Sequence, residues 1–360
     1  MLLLFNCSNK TDNQNPLISV LKSNHPAIKK VMNNLDAHEI QIQLTDINSD
    51  TTYTYQVNDQ NYFYPASSVK FPIAVLALEK VNTLDNISSK TPFLIEGDSV
   101  YTTIRDCVTK IFAVSDNKAY NNLYAFLGRD YINNKLKEKG LQTARISHRL
   151  STPDANNPKT KSLVFNINDS TLIKQESIID SEIEKLELNR ITKGIGYYKD
   201  NTLINKPMDF SQKNYLPITT LHEMMKRIQF RDSYKSEEQF ILNTNDQNFL
   251  LKTMSILPKE VGYNETEYYD GYVKFLMFGD TKKRIPEHIK ISNKVGYAYG
   301  YLTDCAFVQD TKHGISFLIT ATIHVNKDGI FNDDIYEYET IGIPFLAELG
   351  RQLHTYYTKK

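Results

Sequence analysis

Apolar residues recur at helical spacing over 17–36, with Pro26 placed to split that helix. The run EIQIQLTDI (39–47) alternates apolar and polar positions. TTYTYQV (51–57) alternates again after the turn residues Asn48-Ser49-Asp50, so a hairpin of two half-buried strands is expected. Helical spacing returns over 69–82, 103–114 and 117–127, the last two meeting at Ser115-Asp116-Asn117. From 150 to 215 the pattern weakens. There TPDANNPK reads as a loop, and GIGYYKDNTLINKP as a hairpin turning at Lys199-Asp200-Asn201. Helices are expected over 219–230 and 237–254. Three strands then follow in succession: HIKISNKVGY, YLTDCAFVQD and GISFLITATIHV. The segment YEYETIGIPFLAELGRQLHTYYTK reads as a long terminal helix despite Pro344.

Strands thus lie at both ends of the chain and helices in the middle. Two strands from the front and three from the back make one five-stranded antiparallel sheet, flanked by N- and C-terminal helices. The predicted class is α+β, with an inserted, mostly helical subdomain over 68–285 and one cleft between sheet and helices.

Composition narrows the function classes. Basic and acidic residues balance at 42 each and no basic stripe stands out, which argues against a nucleic-acid partner. No apolar run is long enough to span a bilayer. The three cysteines, Cys7, Cys107 and Cys305, form no CxxC pair, and the eight histidines are scattered. His222-Glu223 opens like a zincin motif, but no histidine follows at the required spacing, so no metal and no other cofactor is expected. Cys107 and Cys305 are expected to be buried and unpaired. The start, MLLLFNCSNKTDNQNP, resembles the tail of a bacterial lipoprotein signal with Cys7 as the lipidated residue. Two features depart from that pattern: no basic region precedes the run, and Asn6 stands where a small residue is usual. On this reading residues 1–15 are a signal remnant and tether. Residues 16–360 form the working domain, extracytoplasmic or anchored to a membrane. The alternative is a plain polar tail.

The stretch YPASSVKFPIAVLALEKV (64–81) raises a question of chemistry. Proline fits only the first turn of a helix, so Pro72 puts the start near Val69. Ser67 and Lys70, three apart, then point together from the positive end of the helix dipole. That field favours an alkoxide on Ser67 and the neutral, basic form of Lys70. The competing reading is a serine N-cap followed by chance by a lysine. The same spacing recurs at Ser19 and Lys22, where nothing else suggests chemistry.

Two more motifs follow in order: Ser115-Asp116-Asn117, then Lys294-Val295-Gly296 at the start of an expected strand. Serine-x-x-lysine, Ser-Asp-Asn and Lys-x-Gly, in this order, resemble the class A β-lactamase-related serine hydrolases of the serine β-lactamase and penicillin-binding enzyme superfamily. Ala119, Asn121 and Leu123 continue the second motif in the family's style, and YGYLTDCAFV resembles its strand-turn-strand segment with an aspartate. The resemblance covers most of 20–150 and 215–357.

It implies a role for each residue. Ser67 attacks a carbonyl carbon and Lys70 takes its proton. Ser115 passes a proton to the departing nitrogen. Asn117 holds the substrate amide, and Lys294 attracts a carboxylate. Gly296 lets the strand approach the substrate closely. The backbone N–H groups of Ser67 and Tyr297 form the oxyanion hole. Asp116 is structural and holds the loop backbone. Bland readings stand beside these: Ser115-Asp116-Asn117 as an N-cap run, Lys294 as a solvated strand-edge lysine. Tyr120-x-Asn122 mimics a tyrosine motif of related esterases, but its helical position turns it away, so it reads as packing.

The pattern departs in three places. With Arg149-Leu150 as the opening pair of the loop that carries the family's water-activating glutamate, that place falls at Asp154. Asp154 is read either as a shorter base or as part of an Asp-Ala-Asn turn loop. Val295 replaces a hydroxyl residue that would help bind the carboxylate. The segment 158–214 is extra relative to compact relatives.

The leading function is a serine hydrolase forming an acyl-enzyme through Ser67, with β-lactam hydrolysis of class A type as its first form. A D-alanyl-D-alanine carboxypeptidase acting on cell-wall peptide is the alternative. A non-catalytic, tethered binding module on the same fold is the competitor from another class. An unrelated domain with chance motifs stands last. The expected partner is a small β-lactam or cell-wall peptide, and the chain is expected to work as a monomer.

Overall fold

The computed structural model describes residues 15–168 and 170–359; Cys7, the expected lipidation site, lies outside them. Its organising feature is a five-stranded antiparallel sheet. The elements that matter for the site are β1 (Gln41–Asp46), β2 (Thr51–Tyr55), α1 (Lys70–Val81), α2 (Ile104–Val114) and α3 (Asn117–Leu127). They continue with α4 (Ile218–Gln229), β3 (Ile289–Ala298), β4 (Tyr301–Asp310), β5 (Ile315–His324) and α5 (Ile343–Thr358). The sheet order is β3-β4-β5-β1-β2, as expected from strands at the two chain ends. The seam between the ends is β1 against β5, in register from Gln41↔Thr322 to Asp46↔Phe317.

β1 is covered along nearly its whole length, while β2, at the sheet edge, keeps the exposed face expected of a half-buried strand. In β4, Leu302, Ala306 and Val308 join an apolar cluster with the N-terminal helices and α5, while Cys305 and Phe307 join the cluster around α1. Helices on both sides remove the solvent-facing side that a clean alternation would serve. Of α1, every residue except Lys80 is buried. Such a helix, apolar nearly all round, belongs at the centre of a core. His222 of α4 lies in this interior, between the hydroxyls of Thr45 at 2.8 Å and Thr320 at 3.0 Å. Burial pushes its pKa down to about 3, so it is a neutral core residue.

Three expected elements change in detail. The helix expected over 237–254 is confined to Thr244–Thr253, because the Asn243 side chain accepts from the Asp246 N–H and caps it there. The terminal helix begins with a π-turn over Tyr338–Gly342, and Pro344 sits inside the first turn of α5, where no N–H is needed. Within 158–214 the described residues form strands and loops rather than helices. Leu163–Asn168 pairs with Phe93–Ile95 on one side and with Thr171–Gln175 on the other, and Gly196–Lys199 pairs with Thr202–Ile204 across a turn with positive φ at Asp200 and Asn201. Cys107 and Cys305 are buried and free, as expected. No helix among the described residues is long and apolar enough to cross a membrane.

Candidate active site

Ser67 lies in a single 3-10 turn, Ala66–Val69, that leads directly into α1. The helix-cap reading of Ser67 does not hold: the residue in the N-cap place of α1 is Val69, and no side chain caps that end. Ser68 instead donates its hydroxyl to the Pro65 carbonyl at 2.6 Å. Ala66, just before Ser67, has φ +48°, a left-handed conformation that costs a non-glycine residue about 1 kcal/mol or more. Gly296 shows what holds this turn. A Cβ on Gly296 would meet Pro65 O at 2.5 Å, Ser68 N at 2.7 Å and Ser67 N at 2.9 Å. Only a strand without a side chain at this point can press against the turn. The close approach that Gly296 permits is thus first to the serine turn itself.

β3 is the edge strand, and its parity fixes which backbone groups remain free. A two-residue turn, Tyr299-Gly300, joins β3 to β4, with φ +54° and +75°. Its closing pair, Ala298↔Tyr301, is hydrogen-bonded in such a hairpin, so Tyr297 belongs to the alternate set that faces away from β4. Asn293 is in that set, and its N–H reaches outward to Met254 O at 3.1 Å. The Tyr297 N–H therefore points to the free edge, beside the Ser67 turn. These are the two backbone donors expected for an oxyanion hole.

The side chains converge on one hydroxyl. Ser115 ends α2 with φ +56°, and Asp116 opens α3 by accepting from the Ala119 N–H at 2.6 Å. The N-cap reading of this motif thus fits Asp116 alone. The Ser115 Oγ receives Lys70 Nζ at 3.2 Å and Lys294 Nζ at 2.8 Å. Lys70 Nζ also donates to the Ser115 carbonyl and, at 2.6 Å, to Asn117 Oδ1. With Lys294 donating to it, the Ser115 hydroxyl keeps its own hydrogen to donate, to the Lys70 amine or to a third group. Lys294 is 2 % exposed, so it is no solvated edge lysine.

Burial sets the charge states. Lys70 is fully buried, and desolvation, opposed by Asp116, lowers its pKa from 10.5 to about 7. A neutral amine that donates its two hydrogens to Ser115 O and Asn117 Oδ1 keeps a lone pair to accept a proton. Lys294 is pushed well below the ordinary lysine range by burial and by Lys70, against the pull of Asp304. Beneath it, Lys274 Nζ donates to Asn293 Oδ1 at 2.6 Å, and Asn293 Nδ2 donates to Asp304 Oδ1 at 2.8 Å. Burial raises Asp304 to about 6 and lowers Lys274 to about 8. Three buried lysines, Lys70, Lys274 and Lys294, thus share Asp116 and Asp304, an arrangement that favours an anionic guest.

Asp154 is not brought to this centre. Its carboxylate accepts from Thr152 Oγ1 at 2.5 Å and pairs with Arg149 at 3.2 Å, with its side chain 44 % exposed. Its neighbours hold it as a strut of the loop, and it is not among the residues that line the cavity. The loop position that does reach the motif is Ser151, whose Oγ accepts from Asn117 Nδ2 at 2.9 Å. Asn121 pins the same loop, accepting from Leu150 N and donating to Leu150 O. Tyr120 packs inside and donates to His148 O, consistent with its reading as packing.

The cavity over these groups measures about 850 Å³ and is lined by Ser67, Ser115, Asn117, Ser151 and Val295. Its remaining wall is rich in tyrosine, including Tyr64, Tyr268, Tyr297 and Tyr338. Sequence reasoning missed this wall, because its members come from distant segments. It missed His148 as well, a neutral imidazole at the cavity edge. Burial lowers the His148 pKa to about 4, and its ring stacks on Tyr64 with centroids 6.3 Å apart. Ser151, with φ +48°, carried a faint signal in its place just after Arg149-Leu150.

Comparison with known proteins bears on the fold. The family described as "Beta-lactamase enzyme family" matches residues 25–173. No curated protein matches the chain by sequence. Among solved structures, L2 complexed with relebactam is 14 % identical, with a TM-score of 0.56, and 95 % of this chain and 98 % of that chain are covered. The chromosome-encoded β-lactamase of Vibrio parahaemolyticus is 12 % identical, with a TM-score of 0.56 and coverage of 92 % and 98 %. A structure described as PBP-A is 14 % identical, with a TM-score of 0.54 and coverage of 96 % and 97 %. The chain has the fold of the β-lactamases and penicillin-binding enzymes.

Proposed function

We propose that this protein is a serine hydrolase that forms an acyl-enzyme through Ser67 with β-lactams or the related amide of cell-wall peptides. The observation that carries this reading is the meeting of Lys70 and Lys294 on the Ser115 hydroxyl, beside a serine turn pressed onto Gly296. Ser67 Oγ adds to the carbonyl carbon while Lys70 Nζ takes its proton. The developing oxyanion receives the N–H groups of Ser67 and Tyr297, where one donor is worth about 3–4 kcal/mol. The C–N bond then breaks, and the departing nitrogen takes a proton from Ser115, which Lys70 resupplies. Lys294, depressed while the site is empty of an anion, takes up a proton when a substrate carboxylate arrives. Val295 offers that carboxylate no hydroxyl, so the lysines carry the charge recognition.

Acylation is better provided for than deacylation. Asp154 is tied to Arg149 and Thr152, and Ser151 occupies the loop position next to Asn117. A hydroxyl there orients a water but does not accept its proton well at neutral pH. This favours a long-lived acyl-enzyme over rapid β-lactam hydrolysis of class A type, and so favours the reading as a penicillin-sensitive, carboxypeptidase-like enzyme of cell-wall peptide. That substrate places the protein's work outside the cytoplasm.

The test is to mix the protein with a penicillin and follow intact mass and drug loss, with Ser67→Ala alongside. A persistent adduct on the parent chain, absent in Ser67→Ala, is the expected result. Fast Ser67-dependent drug loss would instead make it a β-lactamase with a different water-activating group. No adduct and no loss would overturn the penicillin reading and favour the tethered binding module.

A further inference from the structure

The far end of the sheet holds a second cluster of chemistry. His288 immediately precedes β3, Asp310 ends β4, His313 lies in the turn to β5, and His354 projects from α5. Along β3, His288 stands roughly 30 Å from Tyr297 at about 3.3 Å per residue, so this cluster is separate from the serine site. The Asp310 side chain has no exposed area, and its Oδ2 accepts from His313 Nδ1 and His354 Nε2, each at 2.7 Å. Its Oδ1 accepts from the backbone N–H groups of Lys312 at 2.9 Å and His313 at 3.1 Å. Ligand atoms of His288, Asp310 and His313 all lie within 4.8 Å of one another.

We propose that His288, Asp310 and His313 form a zinc-type site at the far end of the sheet. The donor set is two imidazoles and one carboxylate, borderline ligands that suit Zn²⁺ and not the all-oxygen preference of Ca²⁺ or Mg²⁺. His313 Nδ1 already lies against Asp310 Oδ2, and an ion entering there displaces the proton now shared between them. His354 Nε2 donates to the same carboxylate from α5, and the backbone N–H bonds hold its Oδ1, the support that ligating groups ordinarily need. Three protein ligands leave the fourth position to water. The ligands come from two segments that meet only in the folded chain, so the ion binds the native state and stabilises it.

The experiment titrates untagged, EDTA-dialysed protein with Zn²⁺ by calorimetry, follows its melting temperature, and records the visible spectrum with Co²⁺ as probe. One equivalent should bind, the melting temperature should rise, and Co²⁺ should give the intense bands of a tetrahedral site. His288→Ala and His313→Ala should each weaken binding by at least about tenfold, the lower end of what even an outer-shell group is worth. His25→Ala, at an exposed histidine elsewhere, should leave binding unchanged. Melting of each ion-free variant separates loss of a ligand from loss of fold. Absence of saturable Zn²⁺ binding, or binding indifferent to both variants, would reduce the cluster to a hydrogen-bonded Asp-His set and overturn the proposal.

Discussion

The two walls of the cleft are built differently. On one side, Ser67, Lys70, Ser115 and Lys294 stand on a helix start, a helix end and a strand, each fixed by the core behind it. On the other, residues 148–157 form a loop held by side chains: Asn121 on Leu150, Asn117 on Ser151, Arg149 on the Asp154 and Asn157 carbonyls. The first wall carries the polar set to which the proposed function assigns the opening of an amide. The second spends its carboxylate on its own shape. In the proposed reaction, attack by Ser67 and attack by water would depend on independent parts of the molecule, so one can persist where the other has changed.

The largest expected effect comes from the first wall. Lys70→Ala should slow acylation by about 10²–10⁴-fold, the usual worth of a positioned general base, measured as the rate of adduct formation. Unchanged acylation would remove Lys70 from that role. Gly296→Ala should follow. Its Cβ meets backbone atoms that cannot swing aside, so the strand must retreat from the serine turn, at a cost of about 1–3 kcal/mol in stability and with weakened acylation. A denaturant melt with the adduct assay separates the two losses.

The acidity of Lys70 gives a subtler test. Its folded pKa of about 7 lies below the ordinary 10.5, so acylation should rise with pH through about 7 as the amine loses its proton. The sign for stability agrees. The unfolded chain keeps a proton that the folded chain releases, so this residue's penalty is full below pH 7 and fades as pH rises towards 10.5. Stability curves of the parent and Lys70→Met across that window should converge as pH increases. The smallest effect belongs to the loop wall. Asp154→Asn should change stability by less than about 1 kcal/mol, because the Asp154 side chain is 44 % exposed and the buried Arg149 keeps the Asp154 and Asn157 carbonyls as partners, and should leave the adduct lifetime as it was. A markedly longer lifetime would return Asp154 to the role of water-activating base.

Much of this was legible in the chain itself. Pro72 fixed where α1 begins, and the three-residue spacing then carried Lys70 into the site. Alternation and helical periodicity located the sheet strands and α2 to α4, because those patterns follow from local backbone geometry. The boundaries that failed, at 237–243 and before α5, are set by a side-chain cap and a π-turn, which apolar periodicity does not record.

What only the tertiary structure decided are the relations between distant segments. That Ser115 receives both lysines depends on the packing of α1, α2 and β3. The direction of Asp154 depends on Arg149 being closer than the cavity. His288, Asp310, His313 and His354 are unremarkable in sequence, since no spacing rule joins the two strand ends to the last helix. Local geometry is encoded within a few residues, whereas the partner of a buried polar group is chosen by whichever donor or acceptor the fold brings within about 3 Å.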